Sequence, residues 1–153
     1  MEHLFMKQAI IQAKKALKKD EVPIGAVIVK DGVVLSRGYN RTEIDQDATR
    51  HAEIIAIERA CKKLKSWRLD DCTLYVTVEP CPMCAGAICN ARIPFVYFGA
   101  YEHKSGCAVS KYPVLSDSGL NHNAKFVGGV EQETCSNLIK NYFKAKRKRK
   151  TLD

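Results

Sequence analysis

The sequence has no long apolar run, and this absence argues against two kinds of segment. A signal peptide needs an unbroken apolar core, and a transmembrane helix needs about 20 consecutive apolar residues. Residues 1–20 instead place apolar side chains at helical spacing with lysines between them, which predicts an amphipathic surface helix. Without an export signal or a membrane span, we expect a cytoplasmic protein with no membrane partner.

The chain is also too short for two ordinary domains, and it lacks internal repeats. Its 153 residues, 46% hydrophobic and 27% charged, predict one soluble globular domain over residues 1–153. Seven cysteines are an odd number for a disulfide framework. In a reducing compartment they are expected to be buried thiols or metal ligands.

No acidic residue lies between Lys140 and Lys150. Five lysines and two arginines in this run supply seven of the eight net positive charges, so the basicity belongs to a C-terminal helix or tail at about residues 132–153. Such a tail is often only solvated surface. However, Tyr142 and Phe143 lie inside the run, and aromatic rings beside cations suit unstacked nucleotides. Both interpretations stay open at this point.

The rest of the chain alternates between strand and helix patterns. Asp31-Gly32 between two β-branched runs predicts a hairpin. The further predicted elements are a helix at 49–65, a buried strand at 72–78, a helix at 83–91, strands at 95–99 and 124–130, and a helix at 132–146. Helices between strands imply parallel pairing and an α/β architecture with helices on both faces of the sheet.

The stretch T-V-E-P-C-P-M-C-A-G-A contains a C-x-x-C pair, Cys81 and Cys84. At this spacing in a first helical turn, both sulfurs can reach one ion, although redox pairs have a similar spacing. A second C-x-x-C is absent, so a third ligand is sought among the four histidines. His51 opens the predicted 49–65 helix and precedes Glu53 by two residues. H-x-E followed by P-C-x-x-C is the pattern of zinc-dependent nucleobase deaminases.

The donor set explains this pattern chemically. One imidazole and two thiolates, from His51, Cys81 and Cys84, leave a tetrahedral zinc ion one open position, where a water has its pKa lowered to about 7. Glu53 is then placed to move protons between the water, the base and the leaving amine. We expect one zinc ion per subunit, with Glu53 as the catalytic acid and base.

Other segments extend this pattern over nearly the whole chain. They are E-V-P-I-G-A-V at 21–27, G-Y-N-R at 38–41, H-A-E at 51–53, L-Y-V-T at 74–77, E-P-C-P-M-C-A-G-A at 79–87, F-G-A at 98–100, K-S-G at 104–106 and L-N-H at 120–122. With them, the sequence resembles the cytidine-deaminase superfamily and, within it, the bacterial tRNA-specific adenosine deaminases. The resemblance implies a three-layer α/β/α fold around a five-stranded mixed sheet, and a homodimer whose active sites lie near the subunit boundary.

The resemblance also implies which residues meet the base. Asn40 would contact the edge of the purine, although asparagine is also a common turn residue. Val22 would line the pocket, and the backbone of Ala52 would help to hold the base.

For a tRNA anticodon stem-loop, the resemblance implies contacts from the loop at residues 102–105, which includes Glu102 and Lys104. It implies further contacts from Phe143 and Arg147 of the final helix. The family usually has aspartate where this chain has Glu102, so the detailed sugar contact is expected to differ. His122 falls in the family's Asn-His segment and is treated as a nucleotide contact.

The sequence leaves two alternative functions open. A guanine deaminase has the same zinc core but must seal a free base from water, whereas an enzyme that acts on a flipped nucleotide leaves room for the strand. A non-catalytic, zinc-stabilised RNA-binding module is disfavoured by Glu53 and by the count of three ligands, because structural zinc sites normally have four. The basic aromatic C-terminus favours hydrolytic deamination of adenosine to inosine at wobble position 34 of a tRNA anticodon.

Overall fold

The alternating strand and helix patterns form five strands and five helices in the computed structural model, which describes residues 1–116 and 119–152, the last of these by its backbone. In chain order the elements are α1 (Glu2–Lys18), β1 (Gly25–Lys30), β2 (Val33–Tyr39), α2 (Thr42–Asp45), α3 (Ala52–Leu64), β3 (Cys72–Val78), α4 (Pro82–Asn90), β4 (Phe95–Ala100), β5 (Lys125–Val127) and α5 (Gln132–Leu152). No helix in the described part of the chain is long and apolar enough to cross a membrane.

The strands form one mixed sheet in the order β2-β1-β3-β4-β5. β1 pairs antiparallel with β2 and with β3, whereas β3–β4 and β4–β5 are parallel pairs. The predicted turn joins β1 to β2, and both Asp31 and Gly32 have positive φ, as a type I′ hairpin turn requires. Because parallel neighbours need a crossover, α4 connects β3 to β4.

Alternation along the strands produces two cores, one on each face of the sheet. Ile28, Leu74 and Val76 pack with the buried alanines of α3 and with α4. Val27 and Tyr75 pack on the opposite face with α1 and α5. The predicted three-layer α/β/α fold with a central five-stranded mixed sheet is therefore confirmed.

Three elements have a boundary that differs from the predicted one by more than one residue. α3 begins at Ala52 rather than near residue 49, because Asp47 accepts hydrogen bonds from the Thr49 backbone and hydroxyl in a local turn, and His51 has extended backbone. β5 keeps only three of the seven residues predicted. α5 continues beyond residue 146 to Leu152, so the whole basic run from Lys140 to Lys150 is helical.

The short helix α2 has no counterpart in the sequence-based prediction. Four residues are too few to show a helical period. Its start is held from elsewhere in the chain, because the buried carboxylate of Glu21 accepts hydrogen bonds from the backbone N–H groups of Glu43 and Ile44. This contact fixes the loop between β2 and α3.

All seven cysteines are free thiols. The expectation of burial for the five outside the C-x-x-C pair holds for Cys72, Cys89, Cys107 and Cys135. Cys61 is only half-buried, near the end of α3.

Close packing of β2 on α3 leads to a prediction about Gly38. A Cβ at this position would lie 2.5 Å from the Ala52 carbonyl oxygen and 2.9 Å from the Ala56 nitrogen. Since both atoms belong to helix backbone, we expect Gly38→Ala to lower the free energy of unfolding by about 2 kcal/mol. Urea denaturation monitored by circular dichroism measures the change.

Gly86 provides the matched control, because nothing lies within 4 Å of a Cβ added there. Gly86 is inside α4, so Gly86→Ala should be neutral or stabilise the protein by up to about 1 kcal/mol. Equal destabilisation by both substitutions would contradict the proposed packing constraint.

Candidate active site

Two helix starts meet beyond the carboxyl end of β3. His51 is the N-cap residue of α3, with extended backbone. β3 ends at Val78, and after Glu79 and Pro80 the chain enters α4 with Cys81 as its N-cap. Pro82 takes the first helical position, where its missing N–H costs no hydrogen bond, and Cys84 follows in the first turn.

This arrangement brings together the three predicted ligand residues. One ligand atom from each of His51, Cys81 and Cys84 lies within 4.8 Å of the others. The Nδ1 atom of His51 is 3.5 Å from the sulfur of Cys81 and 3.6 Å from that of Cys84. Cys84 is buried, while His51 and Cys81 are half-buried and reachable from a cavity.

These distances suit a zinc ion. With Zn–S bonds of about 2.3 Å and Zn–N bonds of about 2.0–2.1 Å, tetrahedral geometry places a nitrogen and a sulfur ligand about 3.6 Å apart. One imidazole and two thiols are also the soft donor set that zinc prefers over magnesium or calcium. The three side chains therefore fit a metal centre with three protein ligands.

The pKa values within the cluster favour negative charge on a sulfur, which attracts a cation. The hydrogen bond from the Cys84 thiol lowers the pKa of Cys81 to about 4, and the same bond raises the pKa of Cys84. The pKa of His51 is raised by its hydrogen bond with Cys81. The cluster therefore carries one thiolate before a metal binds, and a divalent cation favours loss of the second thiol proton.

Glu53 lies in the first turn of α3, two residues after His51, and is 4% exposed. Burial raises the pKa of Glu53 to about 7, and the nearby charge of Cys81 adds to this effect. A carboxyl group with this pKa both accepts and donates protons near neutrality. Glu53 is not one of the three clustered ligand residues.

A cavity of about 220 Å³ opens beside this cluster. His51 and Glu53 line it together with the three residues predicted to meet the base, which are Val22, Asn40 and Ala52. These five residues, which were selected from the sequence, therefore line one cavity in the structure.

Asn40 shapes the turn after β2, which is one of the two roles considered from the sequence. Its side-chain oxygen accepts hydrogen bonds from the Thr42 hydroxyl at 2.8 Å and from the Thr42 backbone at 3.3 Å, which stabilises the turn into α2. Asn40 is nevertheless part of the cavity wall. With its oxygen engaged, its amide nitrogen is the group that can donate to a bound base.

A second cavity of about 120 Å³ shares His51 and Glu53 with the first. Glu102 and Ser105 line it on the side of the chain segment that follows β4. The predicted contact Lys104 is exposed, and its backbone N–H donates to the Glu102 carboxylate at 3.0 Å. Lys104 does not line either of these two cavities.

The predicted contacts of α5 lie at a separate surface depression. Phe143, Arg147 and Lys150 line it, and Phe143 is 40% exposed. Lys146 borders both this depression and the 220 Å³ cavity. α5 therefore connects the cavity to a basic aromatic surface.

His122 lies elsewhere in the chain. Its Nε2 atom is 2.8 Å from the carbonyl oxygen of Ile93, just before β4 begins. Because β3 and β4 are parallel, the start of β4 is at the opposite end of the sheet from Cys81. Within one chain, His122 is not brought together with the other candidate residues.

Sequence reasoning missed Tyr142 and Lys146 as cavity residues. Tyr142 is 4% exposed, its hydroxyl donates to the Asp20 carbonyl oxygen, and Lys146 donates to that hydroxyl. Their spacing of four residues placed them on one helix face, but the sequence contained no signal that this face meets residues 21–24.

Comparison with known proteins agrees with this geometry. The family model of the MafB19-like deaminases matches residues 2–147. A tRNA-specific adenosine deaminase of Bacillus subtilis (strain 168) is 46% identical over 149 residues, which cover 97% of this chain and 92% of that protein. This chain is a tRNA-specific adenosine deaminase family member. The cluster of His51, Cys81 and Cys84 and the buried Glu53 therefore belong to a member of a deaminase family.

Two solved structures of the same superfamily differ in how fully they match this family member. One, from studies of A-to-I editing by tRNA:A34 deaminases, has a TM-score of 0.85 and 42% identity, covering 88% of this chain and 97% of that one. A guanine deaminase from Bacillus subtilis has a TM-score of 0.62 and 45% identity, covering 64% of this chain and 63% of that one.

The ligand geometry predicts zinc-dependent protection of Cys81. When protein stripped with a chelator is titrated with zinc, the half-buried thiolate of Cys81 should lose reactivity toward iodoacetamide at one equivalent, because coordination occupies its sulfur. Cys84 is buried and should react slowly with or without zinc. Peptide mass spectrometry measures each thiol separately. Half-buried Cys61 is the internal control and should be alkylated equally with or without zinc.

His51→Ala should raise the zinc concentration needed for this protection, because it removes the nitrogen ligand. Protection of Cys61 to the same degree, or protection unaffected by His51→Ala, would contradict the assigned donor set.

Proposed function

We propose that this protein catalyses hydrolytic deamination of adenosine to inosine at wobble position 34 of a tRNA anticodon. The observation that carries the proposal is the cluster of His51, Cys81 and Cys84 with the buried carboxyl group of Glu53 beside it, where His51 and Glu53 line the same two cavities. The relatives at 43–46% identity that are named tRNA-specific adenosine deaminases support the same substrate.

The metal is proposed to be zinc, one ion per subunit, held by His51, Cys81 and Cys84. When bound, zinc supplies Lewis acidity and lowers the pKa of water so that a nucleophile is available near neutrality. The two cysteines offset the charge of the ion, and the helix start at which they lie favours their anionic forms.

Glu53 is proposed to move the protons. Its carboxylate takes a proton from the attacking water and transfers it to N1 of adenine. It then takes the remaining proton from the new C6 hydroxyl and transfers it to the amino group, which leaves C6 as ammonia. Burial supports this role, since it holds the pKa of Glu53 at about 7 and keeps bulk water away from the carboxylate. Because Glu53 follows His51 by two residues, it lies beside the atoms that react.

Asn40, Val22 and Ala52 are proposed to hold the base. With its oxygen bonded to Thr42, Asn40 donates from its amide nitrogen to an acceptor nitrogen of the purine. Val22 supplies apolar contact, and the backbone of Ala52 lies at the start of the helix that also carries Glu53.

The RNA strand is proposed to leave the cavity along α5. Lys146 borders the cavity, and Phe143, Arg147 and Lys150 continue the surface with one aromatic ring and two more cations. An aromatic ring among cations suits an unstacked base and its neighbouring phosphates. Glu102 and Lys104 are proposed as contacts on the other side, and a contact from His122 requires a second copy of the chain.

The whole chain is proposed to act as one deaminase domain whose basic C-terminal helix belongs to the RNA-binding surface, and to form a homodimer in the cytoplasm. The match of one family model to residues 2–147 supports a single domain. Exposed Val109 and Tyr112, both after β4, offer apolar surface for self-association. Free thiols suit a reducing compartment.

A deamination assay with matched substrates tests the function. Zinc-loaded protein should release ammonia from an anticodon stem-loop that has adenosine at position 34, and should leave free guanine and cytidine unchanged. Inosine formation is measured by nuclease digestion and chromatography. Ammonia release from guanine alone would favour the free-base alternative.

Glu53→Gln should keep one zinc per subunit but lower kcat by about 10²–10⁴-fold, because the amide cannot carry the proton. Glu58→Gln is the matched control on the same helix, since Glu58 is an exposed partner of Arg50 and Lys62. Loss of zinc in Glu53→Gln would contradict the separation of proton transfer from metal binding.

The basic helix generates a prediction about salt dependence. Arg147→Ala combined with Lys150→Ala should reduce the slope of log Kobs against log salt for the stem-loop by about 1.4, or about 0.7 for each phosphate that is no longer neutralised. Fluorescence anisotropy of a labelled stem-loop at several salt concentrations measures this slope.

Lys144→Ala combined with Lys148→Ala is the matched control, because it removes the same charge from a different face of α5. This pair should leave the slope nearly unchanged. Equal reductions of the slope in the two double variants would assign the basic run to general solvation and not to a defined RNA path.

A further inference from the structure

Glu79 is a buried carboxylate that metal binding and proton transfer do not use. It lies between β3 and Cys81 and is 3% exposed. None of the ion pairs found among the described residues involves Glu79. Its charge is instead met by hydrogen bonds, and all of them come from one segment of chain.

That segment is the 102–110 loop, which follows β4. Oε2 of Glu79 accepts from the successive backbone N–H groups of Ala108, Val109 and Ser110 at 3.1, 2.9 and 2.9 Å. Oε1 accepts from the Glu102 N–H at 3.0 Å and from the Ser110 hydroxyl. The carboxylate therefore binds both ends of the loop, as an anion is held by converging N–H groups.

Glu79 itself is fixed to the sheet. Its backbone N–H donates to the Ala100 carbonyl oxygen at 2.8 Å, which joins the ends of the parallel strands β3 and β4. The next residue, Pro80, accepts from the Cys107 N–H at 2.7 Å. The loop is thus anchored to the two residues that directly precede Cys81.

Gly106 makes this close approach possible. A Cβ at this position would overlap the Glu79 carboxylate and the Glu102 carbonyl oxygen. The held loop presents Glu102 and Ser105 to the cavity that contains His51, Glu53 and Cys81. Glu79 lines the same cavity. Because both of its carboxylate oxygens accept hydrogen bonds from the loop, the shape of the loop at the cavity depends on this side chain.

We propose that Glu79 is a positioning residue that sets the 102–110 loop in its RNA-binding conformation before the substrate arrives. The proposal rests on the proposed function, and it assigns Glu79 to substrate affinity and not to the metal or the proton transfer. A loop already ordered in the free protein avoids the entropy cost of ordering on binding. Releasing the loop should therefore weaken stem-loop binding while leaving the chemical step intact.

The principal test is Glu79→Gln, which keeps the size of the side chain but turns one acceptor into an NH₂ donor that faces N–H donors. We expect KM for the adenosine-34 stem-loop to rise about tenfold, with kcat within about threefold of the unsubstituted protein. A purely structural defect would lower the active fraction and therefore kcat, with KM unchanged. Zinc content should stay at one per subunit, and zinc loss would overturn the proposal.

Ser110→Ala is the milder second variant, because it removes only the hydroxyl donor and keeps the three backbone N–H bonds. It should raise KM by about threefold, and adding it to Glu79→Gln should raise KM less than it does alone, since the two residues share one bond. Full additivity of the two effects on KM would overturn the proposal. Glu58→Gln is the control and should leave KM unchanged, because Glu58 is an exposed carboxylate remote from the loop.

The proposed function and this inference fail in different ways. If the unsubstituted protein does not deaminate the stem-loop, the function is wrong. If it does so and Glu79→Gln lowers kcat with KM unchanged, the function stands and the positioning role is wrong.

Discussion

The active-site geometry depends on the meeting of two helix N-termini beyond the carboxyl end of β3. His51 is the N-cap residue of α3 and Cys81 is the N-cap residue of α4, so the spacing of their side chains is set by where each helix begins. Both helices pack on the same face of the sheet. α3 does so mainly through alanines, which let helix and strand backbones approach closely, and α4 does so through Ala85, Ile88 and Cys89. A shift of either helix along the sheet would change the 3.5 and 3.6 Å distances that suit a tetrahedral ion.

This dependence explains which parts of the site the sequence predicts well. His51, Glu53, Cys81 and Cys84 come from two short motifs, and each motif starts a helix whose periodic pattern is visible in the sequence. The hairpin at Asp31-Gly32 and the apolar run of β3 are equally local, because the residues that specify them lie within the element itself. The fold class and the cluster of candidate metal ligands could therefore be predicted from short-range signals together with the resemblance of the motifs.

Other features could not be predicted because their causes lie far away in the chain. α2 depends on the carboxylate of Glu21, and the 102–110 loop depends on Glu79, so neither has a local period to recognise. Tyr142 and Lys146 reach the cavity only because α5 packs on the same face of the sheet as α1, where the Tyr142 hydroxyl bonds to Asp20. His122 is the opposite case. It belongs to one of the sequence segments that carry the resemblance, but the structure places it beside Ile93, just before β4 begins and away from the candidate site.

The walls of the cavity also bear on the choice between a free base and a nucleotide in RNA. On one side the Glu79-anchored loop lines the 120 Å³ cavity with Glu102 and Ser105, and on the other side α5 lines the 220 Å³ cavity with Tyr142 and Lys146; His51 and Glu53 are common to both. A free base would need these walls to close, but Lys146 continues into an exposed surface that carries Phe143 and Arg147. Keeping such a helix basic and aromatic beyond the cavity would not improve binding of a small neutral base, whereas a phosphate backbone gains from each added cation. The open, cationic side of the site is thus most simply explained by a substrate that extends out of it.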